Sequence, residues 1–366
     1  MRINKLLHTL FVIIPGVLLV TFFMYPCPPE KARPEKNWQL NYPESWPEPV
    51  YKFDKNNKLT KAGFELGRTL FYDRRLSRNN TISCGSCHQQ FAAFAHLDHP
   101  TSHGIESKLG TRNTPPLFNL NWQPAFFWDG SVNHIEVQPI SPMQNPVEMD
   151  EKLENAVNKV AGDTMYKRLF KTAYGDEKIN SQRLLKALAQ FMGMMVSCNS
   201  KYDKVMRKEI GVEFTASETN GLSIFRSICS SCHKEPLFTD FSYRNTGLMP
   251  KFKTDSGRAT ITKQSGDLYK FKVPSLRNLK YTWPYMHDGR FNELEQVLEH
   301  YAGDKFKTAT LDPAMHLRLY LTATEKADLL AFLNTLNDEE FVKDVRFKDN
   351  SGNPVLSDHS HSFEKR

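Results

Sequence analysis

The chain has 366 residues, of which 40% are hydrophobic and 24% charged, and a formal net charge of +7. This composition excludes a disordered tail and suits two modest domains or one large one, each able to bury a core. The basic residues are scattered and form no stripe, so a nucleic-acid partner is excluded; the charge reads as a solvated basic exterior, with an acidic partner or anionic surface as the alternative.

Leu6 to Tyr25 is almost continuously apolar behind Arg2 and Lys5. A helix of about twenty residues crosses a bilayer, and positive charge on its short side predicts a cytoplasmic N-terminus with the rest exported to the periplasm. Residues 1–26 are thus a signal or anchor segment, either cleaved or retained as an attachment to the inner membrane. No small-x-small cleavage site is evident, and Tyr25 and Pro26 make a poor lipobox for Cys27. Residues 27–59 read as a linker, with seven prolines from Pro26 to Pro49. Thr60 caps a helix carrying Phe64, Gly67, Leu70 and Phe71 on one face. The stretch from about Ser77 to Met149 is irregular and rich in Asn, Pro, Gly and aromatics, which in a compact domain marks a segment that acts or wraps something. Helical spacing returns at Leu153, Ala156, Val157 and Val160, and again from Ser181 to Val205, where Met192, Met194 and Met195 serve as core filler. Further helices are expected over Ser217–Ile228, from Asn292 (capped with Glu295) through Tyr301, and from Thr324 through Leu336. Strand signals are few, and residues 343–366 form a polar, fraying tail.

Two motifs carry the chemistry: Cys84-Gly85-Ser86-Cys87-His88 and Cys229-Ser230-Ser231-Cys232-His233. The thiols of such a motif add to the vinyl groups of haem, and the adjacent histidine sits under the iron. A thioredoxin-like dithiol needs no histidine, and zinc needs four ligands at closure spacing. Four of the six cysteines are then thioether-linked, and Cys198 reads as a small buried residue on a helix. Helix, motif, long loops and a later helix occur once in each half. The expected fold is therefore mainly α, with two tandem cytochrome c-like domains, 60–205 and 206–342, each around one covalently bound haem c, and long irregular loops. The occupant of each iron's sixth position decides between carrier and catalyst, and composition does not choose among the His, Met and Tyr candidates.

From about Gly67 to Leu336 the chain resembles the bacterial di-haem cytochrome c peroxidases and their MauG-type relatives. Besides the haem motifs, the resemblance rests on Leu109-Gly-Thr-Arg112-Asn113, Phe127-Trp128-Asp129-Gly130, and Gln138 through Asn145-Pro-Val-Glu148-Met149. It continues in Val273-Pro-Ser-Leu-Arg277-Asn278 and Thr282-Trp-Pro284-Tyr-Met-His287-Asp-Gly289-Arg290. It implies that the haem on His88 is peroxidatic, with Gln138 and Glu148 on its distal side. A carboxylate there takes a proton from one peroxide oxygen and returns it to the oxygen leaving as water, while an amide orients the peroxide. The plain alternative is that Glu148 caps the helix starting near Asp150. The resemblance also implies that the haem on His233 passes electrons inward, that Trp128 lies between the haems, and that Asn113 with the carbonyls of Thr282 and Pro284 holds one calcium ion.

Two departures from the peroxidase pattern matter. Ile105 stands where relatives that need reductive activation carry a histidine that blocks the first haem, so this haem is expected to be open at rest. His103 is the substitute if the loop shifts, and His96 and His99 read as solvated. Tyr301 stands where the peroxidases place a methionine on the second haem, and MauG-type relatives have tyrosine; Met286 and His300 are rivals. Phenolate lowers the potential relative to methionine. The leading function is therefore reduction of hydrogen peroxide with electrons from a small donor protein such as a cytochrome c. A MauG-like oxidation of a partner protein and a plain two-haem electron carrier are the alternatives, and a homodimer is left open.

Overall fold

Thr60 opens the first helix as its sequence suggests: its hydroxyl accepts from the Gly63 N–H at 3.0 Å. The computed structural model describes residues 38–252, 254–316 and 318–350. The leader or anchor over 1–26, the start of the linker and the end of the tail lie outside the described residues. Among the described residues no helix is long and apolar enough to cross a membrane.

Helices carry the fold: α1 (Lys61–Phe71), α2 (Cys84–Cys87), α3 (Ile140–Gln144), α4 (Leu153–Ala161), α5 (Thr164–Tyr174) and α6 (Ser181–Gly193), then α7 (Lys201–Met206), α8 (Ala216–Ile228), α9 (Ala259–Thr262), α10 (Leu294–Ala302), α11 (Ala323–Asn334) and α12 (Glu339–Lys343). Two short strands, β1 (Tyr243–Arg244) and β2 (Phe271–Lys272), pair antiparallel with Tyr243 opposite Lys272. Between α2 and α3 only one-turn 3₁₀ segments interrupt the irregular chain.

Two large apolar cores and a smaller cluster around Trp46 and Trp122 form among the described residues. One gathers Phe64, Leu70 and Phe71 of α1, Leu188 and Phe191 of α6, Phe94 and the three methionines Met192, Met194 and Met195. The other gathers Leu222 and Phe225 of α8, Phe238, Leu298 of α10, and Leu329 and Phe332 of α11. Each is built on one close helix crossing. A Cβ added at Gly67 would meet the Ala187 carbonyl of α6, and one at Gly221 would meet the Asp328 carbonyl of α11. Because backbone lies opposite, Gly221→Ala should push α8 and α11 apart and cost about 1–3 kcal/mol. A lowered urea midpoint with an unchanged slope would show it, and an unshifted midpoint would mean that the crossing gives way freely.

Several expectations are corrected by the packing. The helix expected over Ser181–Val205 is two helices. Asn119 captures the backbone between them, its N–H donating to Met195 O at 2.8 Å and its side chain accepting from Ser197 N–H at 2.9 Å, so those groups are lost to a helical ladder. Cys198 lies in that break, half-buried, and not on a helix. Glu293 with Gln296, not Asn292 with Glu295, forms the capping box of α10. Thr322, not Thr324, caps α11, accepting from Glu325 N–H at 3.2 Å. The Pro-rich stretch is no free linker in its described part: Trp46 is buried against Trp122, and Trp122 Nε1–H donates to Pro47 O at 2.6 Å. Extended Pro-rich chain has no internal hydrogen bonds to lose, so its aromatic residues are free to settle on a neighbouring surface. Phe347 meets the Phe94 ring edge-on and Phe341 meets it at a tilt, both in the first core. The described residues 343–347 thus return to the first core, where a fraying tail was expected.

Candidate active site

The first Cys-His motif is a single helical turn. Ser83 opens α2, its N–H donating to Ser86 Oγ at 3.0 Å, and His88 closes it by donating its N–H to Cys84 O at 2.9 Å. Left-handed backbone at Ala93 (φ 49°) and Phe94 (φ 61°) folds the next loop back, so that Phe94 O lies 2.7 Å from His88 Nδ1. Burial pushes His88 down to about 4, keeping the imidazole neutral. With Nδ1–H donating to Phe94, the lone pair at Nε2 is left for a metal, the arrangement that orients a ligating histidine. Burial also pushes Cys84 and Cys87 up to about 12, so neither is a thiolate nucleophile.

The second motif repeats this. Cys229 caps the C-terminus of α8, and His233 Nδ1 lies 3.2 Å from Phe238 O and 3.1 Å from Pro274 O. Tyr301 on α10 is raised well above the usual phenol range by burial, and it lies within electrostatic reach of Cys229 and Cys232. Of the rivals, His300 turns its Nε2 to Thr246 O at 3.0 Å. Met286 sits at φ 72° in the turn before His287. Two cysteine pairs without disulfides, each followed by a neutral, carbonyl-anchored histidine, fit covalent haem c in both halves.

Gln138 and Glu148 are brought to the two ends of a fold-back around α3. Met149 N–H donates to Pro142 O (3.2 Å), Asp150 N–H to Asn145 O (3.0 Å) and Glu151 N–H to Met143 O (2.7 Å). Gln138 is buried and its amide makes no hydrogen bond among the described residues. The Glu148 carboxylate accepts from Asn145 Nδ2–H at 2.7 Å. Burial raises its pKa, against that hydrogen bond, and its charge reaches Cys87. The helix-cap reading of Glu148 fails, because α4 starts at Leu153 after Lys152 and Glu148 bonds none of its N–H groups.

The loop before Arg112 is docked on this fold-back. Ile105 is fully buried, and its N–H donates to Glu148 O at 2.7 Å. His103 instead faces the His99 ring at 4.7 Å, while its carbonyl meets Cys87 Sγ at 3.5 Å. His96, expected to be solvated, is buried and stacks on His99 at 4.4 Å. Burial pushes it down to about 3, with His99, His103 and His88 adding to the effect. Its packing under the loop could not be read from a histidine's polarity.

Trp128 donates its indole N–H to Asn113 O at 2.8 Å and meets the His287 ring edge-on at 6.5 Å. Asn113 N–H donates to His287 O at 2.7 Å, and its Nδ2 donates to His99 O and Pro100 O, leaving Oδ1 without a hydrogen bond among the described residues. Thr282 and the cis Trp283–Pro284 peptide lie just upstream of His287. The contacts of three cations in this region escaped the sequence reading, although Arg112 itself stands in one of the runs quoted there. Arg112 bridges Asp129 (2.6 Å) and Asp255 (2.7 Å), Arg258 Nη1–H donates to Asp129 O at 3.1 Å, and Lys272 reaches under the Trp128 turn. Only a buried cation's need for a partner could have flagged them, and spacing does not say which partner.

Residues 61–210 match the family described as di-haem cytochrome c peroxidase. The chain is 35% identical over 307 residues to the methylamine utilization protein MauG of Methylorubrum extorquens, covering 81% of this chain and 83% of that one. It is 33% identical over 281 residues to the cytochrome c551 peroxidase of Nitrosomonas europaea, covering 75% and 80%. A solved MauG-like protein associated with microbial copper homeostasis superposes with a TM-score of 0.79 at 31% identity, over 86% of this chain and 99% of that one.

Proposed function

We propose, because this chain belongs to the di-haem cytochrome c peroxidase and MauG family, that it reduces hydrogen peroxide to water with electrons from a small redox protein such as a cytochrome c. Haem c on each motif would supply the iron at which the O–O bond is broken and through which electrons enter. Cys84, Cys87 and His88 would hold the first, and Cys229, Cys232, His233 and Tyr301 the second, in two tandem domains. Asn113 Oδ1 with the Thr282 and Pro284 carbonyls would hold calcium between them. The apolar segment over 1–26 would export the chain to the periplasm, as leader or inner-membrane anchor.

The observation that carries the reading is Glu148. Half-buried, it sits where the 103–105 loop joins it to the first motif, Ile105 N–H donating to Glu148 O at 2.7 Å and His103 O meeting Cys87 Sγ at 3.5 Å, and among the described residues its carboxylate has no cationic hydrogen-bond partner. A carboxyl so placed accepts a proton from an incoming peroxide and returns it to the leaving oxygen. Gln138, with an unengaged amide, would orient the peroxide. Ile105 offers iron no ligand, and its N–H bond to Glu148 O keeps the loop down. The test is the resting ferric spectrum with steady-state turnover of peroxide by reduced cytochrome c. A high-spin component and turnover are expected; two fully low-spin haems without turnover would leave only an electron carrier.

Tyr301 favours a second reading. A tyrosine within electrostatic reach of the second cysteine pair suits an enzyme that holds oxidising equivalents on both haems and draws electrons from a partner protein, as the MauG relatives suggest. Slow turnover with cytochrome c, alongside rapid oxidation by peroxide, would select it. Under either reading Tyr301→Met should raise the second haem's midpoint potential, because a thioether replaces a hard anionic ligand. A potentiometric titration checks this, and an unmoved potential would remove Tyr301 from the iron.

A further inference from the structure

We propose that Lys272 is the positioning residue for Trp128, locking the turn that carries this indole onto strand β2. The inference rests on the reading of Trp128 as the relay between the two haems.

Lys272 grips the turn at three points. Its backbone N–H donates to Trp128 O at 2.7 Å. Its Nζ donates to Gln123 Oε1 and to Ala125 O, each at 2.7 Å. One residue of β2 thus bonds residues 123, 125 and 128 of a segment 150 positions away or nearly so in the chain. The turn closes on itself through the Phe126–Val132 bridge, with Phe127 (φ 65°) and Gly130 (φ 72°) in left-handed backbone, and Lys272 ties it to β2. Arg258 grips the turn further along at the Asp129 carbonyl and Arg112 at the Asp129 carboxylate, while the indole N–H itself donates to Asn113 O at 2.8 Å. The neighbouring residue Phe271 stacks on His287 at 3.6 Å, and His287 in turn meets Trp128 edge-on. Burial pushes Lys272 down to about 7, with Asp129 opposing the shift. A half-buried lysine whose ammonium has both its acceptors on one loop is placed to hold that loop.

Position is what an electron relay needs, and misplacing a reacting group by roughly 1 Å costs about a hundredfold in rate. The experiment uses the holoprotein with only the second haem reduced, mixed rapidly with peroxide, and follows loss of the reduced band. Trp128→Phe is the reference. Lys272→Met should slow the loss about tenfold, a partial misplacement on that scale, while both haem spectra and peroxide binding stay as in the parent. Lys272→Arg, which keeps the charge and the donors, should restore most of the rate. If Lys272→Met runs at the parent rate while Trp128→Phe is slow, the role of Lys272 is refuted and the relay stands. An arginine variant as slow as the methionine variant would also refute it, pointing to packing alone. If Trp128→Phe runs at the parent rate, the relay itself fails. Should Lys272→Met not load both haems, Gln123→Leu removes one acceptor and leaves the lysine; a smaller slowing is expected, and an unchanged rate overturns the proposal.

Discussion

Glu148→Gln should slow reaction with hydrogen peroxide by about a hundredfold or more. The substitution is nearly isosteric, and its carbonyl oxygen can still accept from Asn145 Nδ2–H, the one hydrogen bond the carboxylate makes. Ile105 is held through the backbone carbonyl of residue 148, so the loop stays docked. What disappears is the ability to carry a proton from one peroxide oxygen to the other. Stopped-flow mixing of the resting protein with peroxide measures it; a variant that reacts at the parent rate would remove Glu148 from the chemistry.

The same carboxyl sets an expected pH dependence. Burial raises its pKa, so the ionised form that accepts the proton is populated only above the ordinary glutamate range. The rate with peroxide should therefore fall toward acid with a limb above the usual value of about 4.3. Glu148→Gln should flatten that limb. His88, His96 and His287 are all pushed below the usual histidine range by burial, and so should add no limb near neutrality.

The Cys-x-x-Cys-His turns, the cap at Thr60 and the methionine filler were legible in the sequence because their signals are local, whereas Gln138 and Glu148 were singled out only through the resemblance to relatives. A Cys-x-x-Cys-His turn fits in five residues, and a helix face repeats every three or four. What escaped depends on distant partners. The break after Gly193 is imposed by Asn119, which no spacing connects to it. The Pro-rich segment looked unstructured because its order comes from Trp122 and the cores it covers. His96 looked like surface because polarity says nothing of the loop that buries it. Arg277 lies in a run read only for its likeness to relatives, Lys272 stands just before that run, and the partners of both lie far away in the chain.

Arg277 makes the largest expected stability effect. Its side chain is fully buried, with Asp203 accepting from Nη1 at 2.8 Å and from Nη2 at 2.7 Å. Pro236 O takes further N–H groups, and the guanidinium lies 4.8 Å from the Trp46 ring and 5.4 Å from that of Phe238. Asp203 also accepts from Ser200 N–H and Oγ–H, so it caps α7 as well. Asp203→Ala should cost about 3–5 kcal/mol, because the arginine is left charged and buried without its counter-ion. Arg277→Met in the same chain should recover a good part, since the stranded charge goes with it. Burial works to raise the Asp203 pKa, yet Arg277 and the Ser200 hydrogen bonds hold it below the usual range. A carboxyl depressed in the folded state gives stability that is present above its unfolded value of about 3.9 and is lost as pH falls through the folded one. Urea midpoints of the parent should thus fall on acidification over that window, and those of Asp203→Ala should fall less. A single variant within about 1 kcal/mol of the parent, or a double variant no better than the single, would show that the pair holds little of the second core together.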